Sequence, residues 1–546
     1  MDGPNGKKIA LVNGRIHTPL GMREALSIEA GRIAELGKTS DIAPGADTVV
    51  DLKERPVFPG FADSHMHFMM WMESQELINL RPCRSIEDLR TVLRAHIGEH
   101  PLPDAGWYRG TGWNQTSMPE GRAPNRFDLD DIAPDRPVML TRVCGHVAVL
   151  NTAGLNAAGV TRDTCVEGGI VELDEEGEPT GLVAEEAVGY VHSRIPGLQD
   201  EDMLRLLEKY GPQAASFGLT QLNTDDMSAF GFDFRRAIGF YTAAEREGKL
   251  PFRVRQQFLL PRRELLLDFL SEGWRTGDGT PLYQIGPLKL LCDGSLGGRT
   301  AFLREDYADM PGSRGVAIYG QEELNGLAAL AHSSGMQVAV HAIGDGAFEM
   351  CLGAFEAAQT ACPGAARHQI VHAQIAGDRQ LDRMKSLRLG ALIQPCFVPS
   401  DREMAIARLG GERAGRSYRW KTMLKKGIPL AAGSDAPIES LRPLDGVHAA
   451  VTRQEQAGRA GQSGEPESGW TPEENLSVAE ALSLYTWANA WQSGNERRRG
   501  EIAPGRDADL TVLEQDPFLV SASDIWKIGV AMTLCGGRIT YRAAME

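Results

Sequence analysis

Val57-Phe58-Pro59-Gly60-Phe61-Ala62-Asp63-Ser64-His65-Met66-His67-Phe68 reads as a buried strand that ends in metal-ligand chemistry. An apolar run broken by Pro-Gly leads into two histidines spaced i, i+2, and side chains at that spacing share one side of an extended strand. His65 and His67 can therefore reach one ion, since imidazole nitrogens bind zinc at about 2.0 to 2.1 Å without straining such a backbone. His-x-His pairs also arise by chance, so the weight falls on what accompanies this one.

Downstream, short apolar runs alternate with helical patterns, as parallel strands with crossover helices would. Strands are expected near Leu219–Asn223, Arg253–Leu260, Ile285–Leu291, Gln337–His341, Gln369–His372, Ala391–Gln394 and Pro429–Ala432, which with the first makes eight. Helices fit between them at Glu322–Ser333 and Ala347–Gln359, and a later one at Val478–Gln492 opens on a Ser477/Glu480 capping box. Eight such units predict a TIM-type (β/α)8 barrel. Pro287 donates no ladder hydrogen bond, which points to a fourth strand beginning only at Leu288.

The interval between the first two strands is too long for a loop and carries its own apolar runs, Val138–Val143 and Ala148–Leu155, so it reads as an inserted α/β subdomain. Near the N-terminus Asn13-Gly14 sits between apolar runs, a hairpin signal because such turns need positive φ. Ala30-Gly31 and Gly536-Gly537 repeat the pattern, and the two ends of the chain read as pieces of one composite β-sandwich. The expected organisation is 1–56 sandwich, 57–79 first barrel strand with the metal motif, 80–215 inserted subdomain, 216–500 the rest of the barrel and 501–546 sandwich. Arg453–Glu474 reads as an exposed loop.

Composition narrows the function. A net charge of −16 over 546 residues leaves no basic stripe for nucleic acid. Eight scattered cysteines without a C-x-x-C pair suggest neither a disulfide framework nor a thiolate zinc site. With no long apolar run, the expectation is a soluble cytoplasmic protein acting on a small molecule, without a nucleic-acid or membrane partner.

Further groups fall at the ends of predicted strands, where barrel enzymes assemble their sites. His341 ends Gln-Val-Ala-Val-His, His372 ends Gln-Ile-Val-His, and Asp435 follows Ala-Ala-Gly-Ser. Each alone has a structural explanation; their recurrence is the signal. Lys289 interrupts an apolar run, and an unpaired ammonium inside a barrel is heavily penalised. Either it pairs with nearby Asp293, or CO2 converts it to an anionic carbamate able to bridge two cations.

The ordered set His65-x-His67, Lys289, His341, His372 and Asp435 resembles the amidohydrolase superfamily. Pro59–His67, Lys289–Gly297, Val340–Asp345, His372-Ala373-Gln374 and Gly433–Pro437 are similar to its YtcJ-like branch, which includes N-substituted formamide deformylases. Gly110–Gln115 and Gly145–Asn151 extend the match into the insertion. The resemblance implies one or two divalent ions, most often zinc, with His65, His67 and Asp435 on one, His341 and His372 on the other, and carboxylated Lys289 between them. It also implies homodimerisation.

A metal acidifies water from a pKa of about 15.7 to about 7 and polarises a carbonyl. Asp435 would then shuttle the proton to the leaving amine. The expected reaction is hydrolysis of an amide-type C–N bond of an N-formyl or N-acyl amine. The alternatives are a lactone, ester, carbamate or cyclic imide at the same site, ring deamination, or a binding or regulatory protein without turnover. Trp113, His146 and Asn151 are candidate substrate contacts, set against ordinary packing roles.

Overall fold

The computed structural model describes residues 7–100, 106–364, 366–456 and 469–544. They form two compact units, one of Met1–Trp71 with Leu204–Glu546 and one of Met72–Met203.

The first unit is built on eight parallel strands: β1 Phe61–Met66, β2 Leu219–Thr224, β3 Arg253–Leu259, β4 Tyr283–Leu291, β5 Val338–Ala342, β6 Gln369–His372, β7 Gly390–Ile393 and β8 Leu430–Ala432. Each pairs with the next in chain order, and the register carries apolar residues across the sheet, Leu290 opposite Val340, Val340 opposite Ile370 and Ile370 opposite Ala391. Between β8 and β1 no regular ladder forms. Instead Ser64 Oγ donates to Ala431 O at 3.2 Å and the Asp435 amide to His65 O at 2.8 Å. This nearly closed barrel has the TIM-type arrangement, with Ala339, Val371, Leu392 and Ala431 packed together as an apolar layer.

Two sequence expectations change here. β4 does not start at Leu288 but runs through Pro287, because the register slips between Gln256 and Phe258 on the partner strand. A bulge is where a strand tolerates a residue with no amide hydrogen. The helix expected over Val478–Gln492 is two, Val478–Leu484 and Trp487–Gln492. The break falls where Tyr485 gives its carbonyl to the Ala62 amide of β1 at 2.8 Å instead of continuing the helix. The Ser477/Glu480 capping box is present.

The chain ends contribute a four-stranded sheet, and a six-stranded sheet that joins 15–18, 21–23 and 56–59 to 510–513, 530–535 and 538–542. Leu11, Leu26 and Ile28 of the first sheet share one apolar cluster with Ile16, Val57, Leu510, Val512 and Leu534 of the second. Asn13-Gly14 does not close a hairpin. The strands on either side belong to different sheets, and Asn13 alone takes positive φ while the chain crosses over. Two-residue hairpins whose turn residues both have positive φ are at Ala30-Gly31 and Gly536-Gly537. At the ends of the expected loop Arg453–Glu474, Arg453, Trp470 and Glu474 are buried, and 457–468 lie outside the described residues.

The second unit holds a six-stranded sheet whose alternate residues serve opposite faces. Val138, Leu140 and Val149 pack with Leu89 and Leu93 of helix Ile86–Glu99, whereas Met139, Ala148 and Leu150 pack with Leu155 and Val191. Both faces are thereby covered, as an α/β layer requires.

One buried pair makes acid stability testable. His368 accepts the Val338 amide on Nδ1 at 3.0 Å, so its proton is on Nε2, which faces His332 Nδ1 at 3.0 Å; His332 Nε2 in turn lies 2.7 Å from Cys362 O. A second proton on His368 would break the bond to β5. Burial, with the His332 charge second, pushes His368 down to about 3. The unfolded chain therefore binds more protons than the native one between about pH 6.5 and 3, and stability is lost as pH falls through that window. His368→Gln, which keeps one acceptor and one donor but does not titrate, should flatten this decline by on the order of 3 kcal/mol. Urea midpoints measured from pH 7 to pH 4 would show it, and parallel curves would refute it.

Candidate metal centre

His65 lies at the end of β1, His67 just follows it and Asp435 follows β8, so a histidine pair and a carboxylate more than three hundred positions further along the chain meet at the C-terminal ends of adjacent strands. Their ligand atoms all lie within 4.8 Å of one another. Asp435 Oδ1 is 3.4 Å from His65 Nε2 and 3.3 Å from His67 Nε2. Lys289 Nζ, from β4, is 3.1 Å from His65 Nε2. The rings of His341 and His372, at the ends of β5 and β6, have centroids 4.5 Å apart, and the His372 ring is 5.9 Å from that of His65. The six predicted groups thus gather at one end of the barrel.

The surroundings fix which nitrogens face inward. His67 Nδ1 lies 2.8 Å from the Asp225 carbonyl, an acceptor only, so Nδ1 carries a proton, and Nε2 offers its lone pair once it gives up the proton it holds toward Asp435. His65 Nδ1 meets Gln257 Oε1 at 3.1 Å, and that amide is oriented by its NH2 donating to Ser64 O. His372 Nδ1 meets Gln394 Oε1 at 2.8 Å, with the Gln394 NH2 on Leu392 O. Such outer partners set tautomer and ring orientation in metal sites. Two buried imidazoles and the half-buried His67, each with its Nε2 turned inward beside a carboxylate, form a donor set suited to a divalent ion such as zinc.

Two carboxylates hold the frame. Asp63 accepts the His65 amide at 3.0 Å and the Ser434 amide at 2.9 Å, tying β1 to the loop that carries Asp435. The close approach requires glycine at 433, where a Cβ would lie 2.6 Å from Asp63 Oδ1 and from the His65 amide nitrogen. Asp293 does not pair with Lys289. It accepts the amides of Phe302, Ile343 and Gly344 and lies 3.4 Å from His341 Nε2, fixing the loop after β5. Burial pushes both carboxyls up to about 7 against the pull of those amides.

Electrostatically the centre separates a proton-holding pair from neutral imidazoles. Burial lowers His67, but hydrogen bonding to Asp435 and the nearby carboxylates outweigh it, lifting His67 to about 9. Asp435 shows the counterpart: burial would raise it, and His67 holds it below the ordinary carboxylate range. Burial pushes His65 and His341 far down, and His372 down to about 4. Lys289 is also pushed down by burial, and no carboxylate oxygen lies within 4 Å of its Nζ among the described residues. The backbone is unusual at the same places, with positive φ at His372, Ala373 and Asp435. Strain of this kind collects where side chains must be aimed.

Of the three candidate substrate contacts, two are corrected. Trp113 is fully buried in the second unit, its indole N–H donating to Leu140 O at 2.8 Å. Asn151 is fully buried as the cap of helix Thr152–Ala158, with Oδ1 accepting the Gly154 and Val138 amides and the NH2 on Ala133 O and Arg136 O. Both are spent on packing. His146 is exposed and lies 3.2 Å from Glu185.

A parallel eight-stranded barrel with histidines and a carboxylate converging beyond its strand ends defines a metal-dependent hydrolase. The chain belongs to the amidohydrolase family, whose model matches residues 48–541. It is 35% identical over 527 residues to YtcJ of Bacillus subtilis, named as an amidohydrolase, covering 95% of this chain and 96% of that protein. The N-substituted formamide deformylase of Arthrobacter pascens is more distant, at 25% over 538 residues and 95% of each chain. Among solved structures, a metal-dependent hydrolase from Pyrococcus furiosus superposes with a TM-score of 0.77 at 31% identity, over 93% of this chain and 99% of that one. The protein is therefore a hydrolytic enzyme, which sets aside the non-catalytic alternative. No helix among the described residues is long and apolar enough to cross a membrane.

Proposed function

We propose that this enzyme cleaves the amide-type C–N bond of an N-formyl or N-acyl amine. The observation that carries the reading is the convergence of His65 Nε2 and His67 Nε2 within 3.4 Å of Asp435 Oδ1, beside a lysine buried with no carboxylate oxygen within 4 Å among the described residues. The residue assignments are His65, His67 and Asp435 to one zinc-class ion and His341 and His372 to a second, with Lys289, as its carbamate, between them. When bound, such an ion supplies Lewis acidity toward the carbonyl and lowers the pKa of water.

This chain's own residues do the rest. Gln257, Gln394 and the Asp225 carbonyl keep the imidazole protons outward. Asp435, pressed against His67, accepts the proton of the attacking water on its carboxylate and returns it to the departing nitrogen, so the amine leaves neutral and the carboxylate is regenerated. The formamide deformylase among the relatives supports the acyl class.

A panel of N-formyl amines, N-acyl amino acids and lactones tests the reading on one preparation analysed for metals. Carboxylate and amine should be released in equal amounts, the rate should fall at least about 100-fold on chelation, and Zn2+ should restore it. Turnover that survives full metal removal, or that is confined to lactones, would overturn it.

A further inference from the structure

The barrel interior carries a second polar feature, at the end opposite the metal ligands. Alternate residues of β3 point the same way, and Gln257 points to His65, so Arg255 lies two residues lower on the same side, about 6.6 Å toward the barrel floor. It is 3% exposed, donates to Gln337 Oε1, and leaves its buried Nε without a partner. No carboxylate pairs with it among the described residues. Burial pushes the guanidinium down only to about 10, so it is charged at neutral pH.

Arg255 borders a cavity of about 310 Å3 that is also lined by Gln221, Arg253, Asn495, Arg498 and Arg499. No acidic side chain lines it. The nearby acids are already engaged. Asp509 takes Arg253 at 2.9 Å, and Asp507 takes Arg498 and Arg499 at 3.0 Å each. At the rim, Glu245 accepts the Leu282 amide and the Thr280 hydroxyl. Three guanidiniums thus share two buried carboxylates, and the fourth, Arg255, is left over and is the most deeply placed. A buried charge without a partner is costly, and a guanidinium fork is shaped to meet an oxyanion.

We propose that this floor cavity is a binding site for a small oxyanion of the phosphate or carboxylate class, held by Arg255 with Arg498 and Arg499 at its sides. The anion supplies the negative charge that the fold leaves out and ties β3 to the segment 495–499, independently of the metal centre.

Equilibrium dialysis of the full-length, metal-loaded enzyme against radiolabelled inorganic phosphate tests this, at constant ionic strength set with chloride. Wild type should bind phosphate at the floor, with a saturable rise in Tm of about 2 to 4 °C. Arg255→Met should lose one equivalent per chain, whereas phosphate held at the metals would survive that change. Arg498→Gln, at the more exposed rim, should weaken the same equivalent about 10-fold and serves if Arg255→Met does not fold. Competition by sulfate alone identifies a tetrahedral anion, and equal competition by acetate a carboxylate; both uphold the site. Unchanged stoichiometry in Arg255→Met with unchanged affinity in Arg498→Gln, or displacement by chloride at equal ionic strength, would overturn it.

Discussion

Asp435→Asn is expected to lower kcat/KM on an amide substrate by about 10² to 10⁴-fold, the range that a positioned proton-transfer group supplies. The side chain lies between His65 Nε2 and His67 Nε2 at 3.4 and 3.3 Å, and its backbone amide is pinned to His65 O at 2.8 Å, so an isosteric amide should occupy the same space. Loss of a ligand and loss of a proton carrier are separable. If Asp435 only holds metal, saturating Zn2+ should restore turnover in the variant. If it also protonates the leaving group, the deficit should persist at full metal content yet shrink to about 10-fold on an activated aryl ester, whose leaving group departs without a proton. Equal deficits on amide and ester would refute the acid role while leaving the ligand role standing.

The barrel is readable because most of its strands have an apolar run and the ligand-bearing strands end in residues that have no packing reason to be there. His65, His67, His341 and His372 stand out against Val, Ile, Leu and Ala, and the site inherits that contrast. The residues that orient them were missed. Gln394 closes Ala-Leu-Ile-Gln, a polar interruption at a strand end of the kind that identifies the histidines, whereas Gln257 lies within the polar stretch Arg-Val-Arg-Gln-Gln-Phe-Leu. The same rule, extended from metal ligands to amides, finds Gln394 but not Gln257, which nothing in its polar strand sets apart. Asp225 was out of reach, because it acts through its carbonyl and any residue has one.

Trp113 and Asn151 show the opposite error. A motif shared along a family marks positions that matter, but Asn151 precedes a helix and an asparagine there is most simply a cap, which is what it is. Local turn chemistry was similarly read one step short at Asn13-Gly14. The sequence specifies a left-handed residue, and only the pairing of distant strands decides whether the chain turns back or crosses between sheets. Pro287 was misjudged for a related reason, since the bulge that accommodates it lies in the pairing with β3 and leaves no mark in β4 alone.

Lys289→Ala should abolish turnover, by at least about 10³-fold, and release metal, for reasons that begin with burial. The side chain is 1% exposed, its Nζ lies 3.1 Å from His65 Nε2, and no carboxylate oxygen comes within 4 Å among the described residues. Burial penalises the ammonium there and the charges of Asp225 and Asp435 offset it only in part, so its pKa is lowered and the neutral amine is easier to reach than in a solvated lysine. A neutral amine adds to CO2 through its lone pair and releases one proton, giving a carbamate whose two oxygens carry the negative charge the histidines lack. Carboxylation, as proposed, would thus replace a poorly compensated lysine with an anionic bridge. The enzyme equilibrated with 13C-bicarbonate should show one carbamate resonance that is absent from Lys289→Ala, and short carboxylic acids added to the variant should restore part of its metal content and rate. A variant that keeps full metal and full turnover without any such acid would show that the lysine is merely buried, and that the two halves of the centre need no bridge.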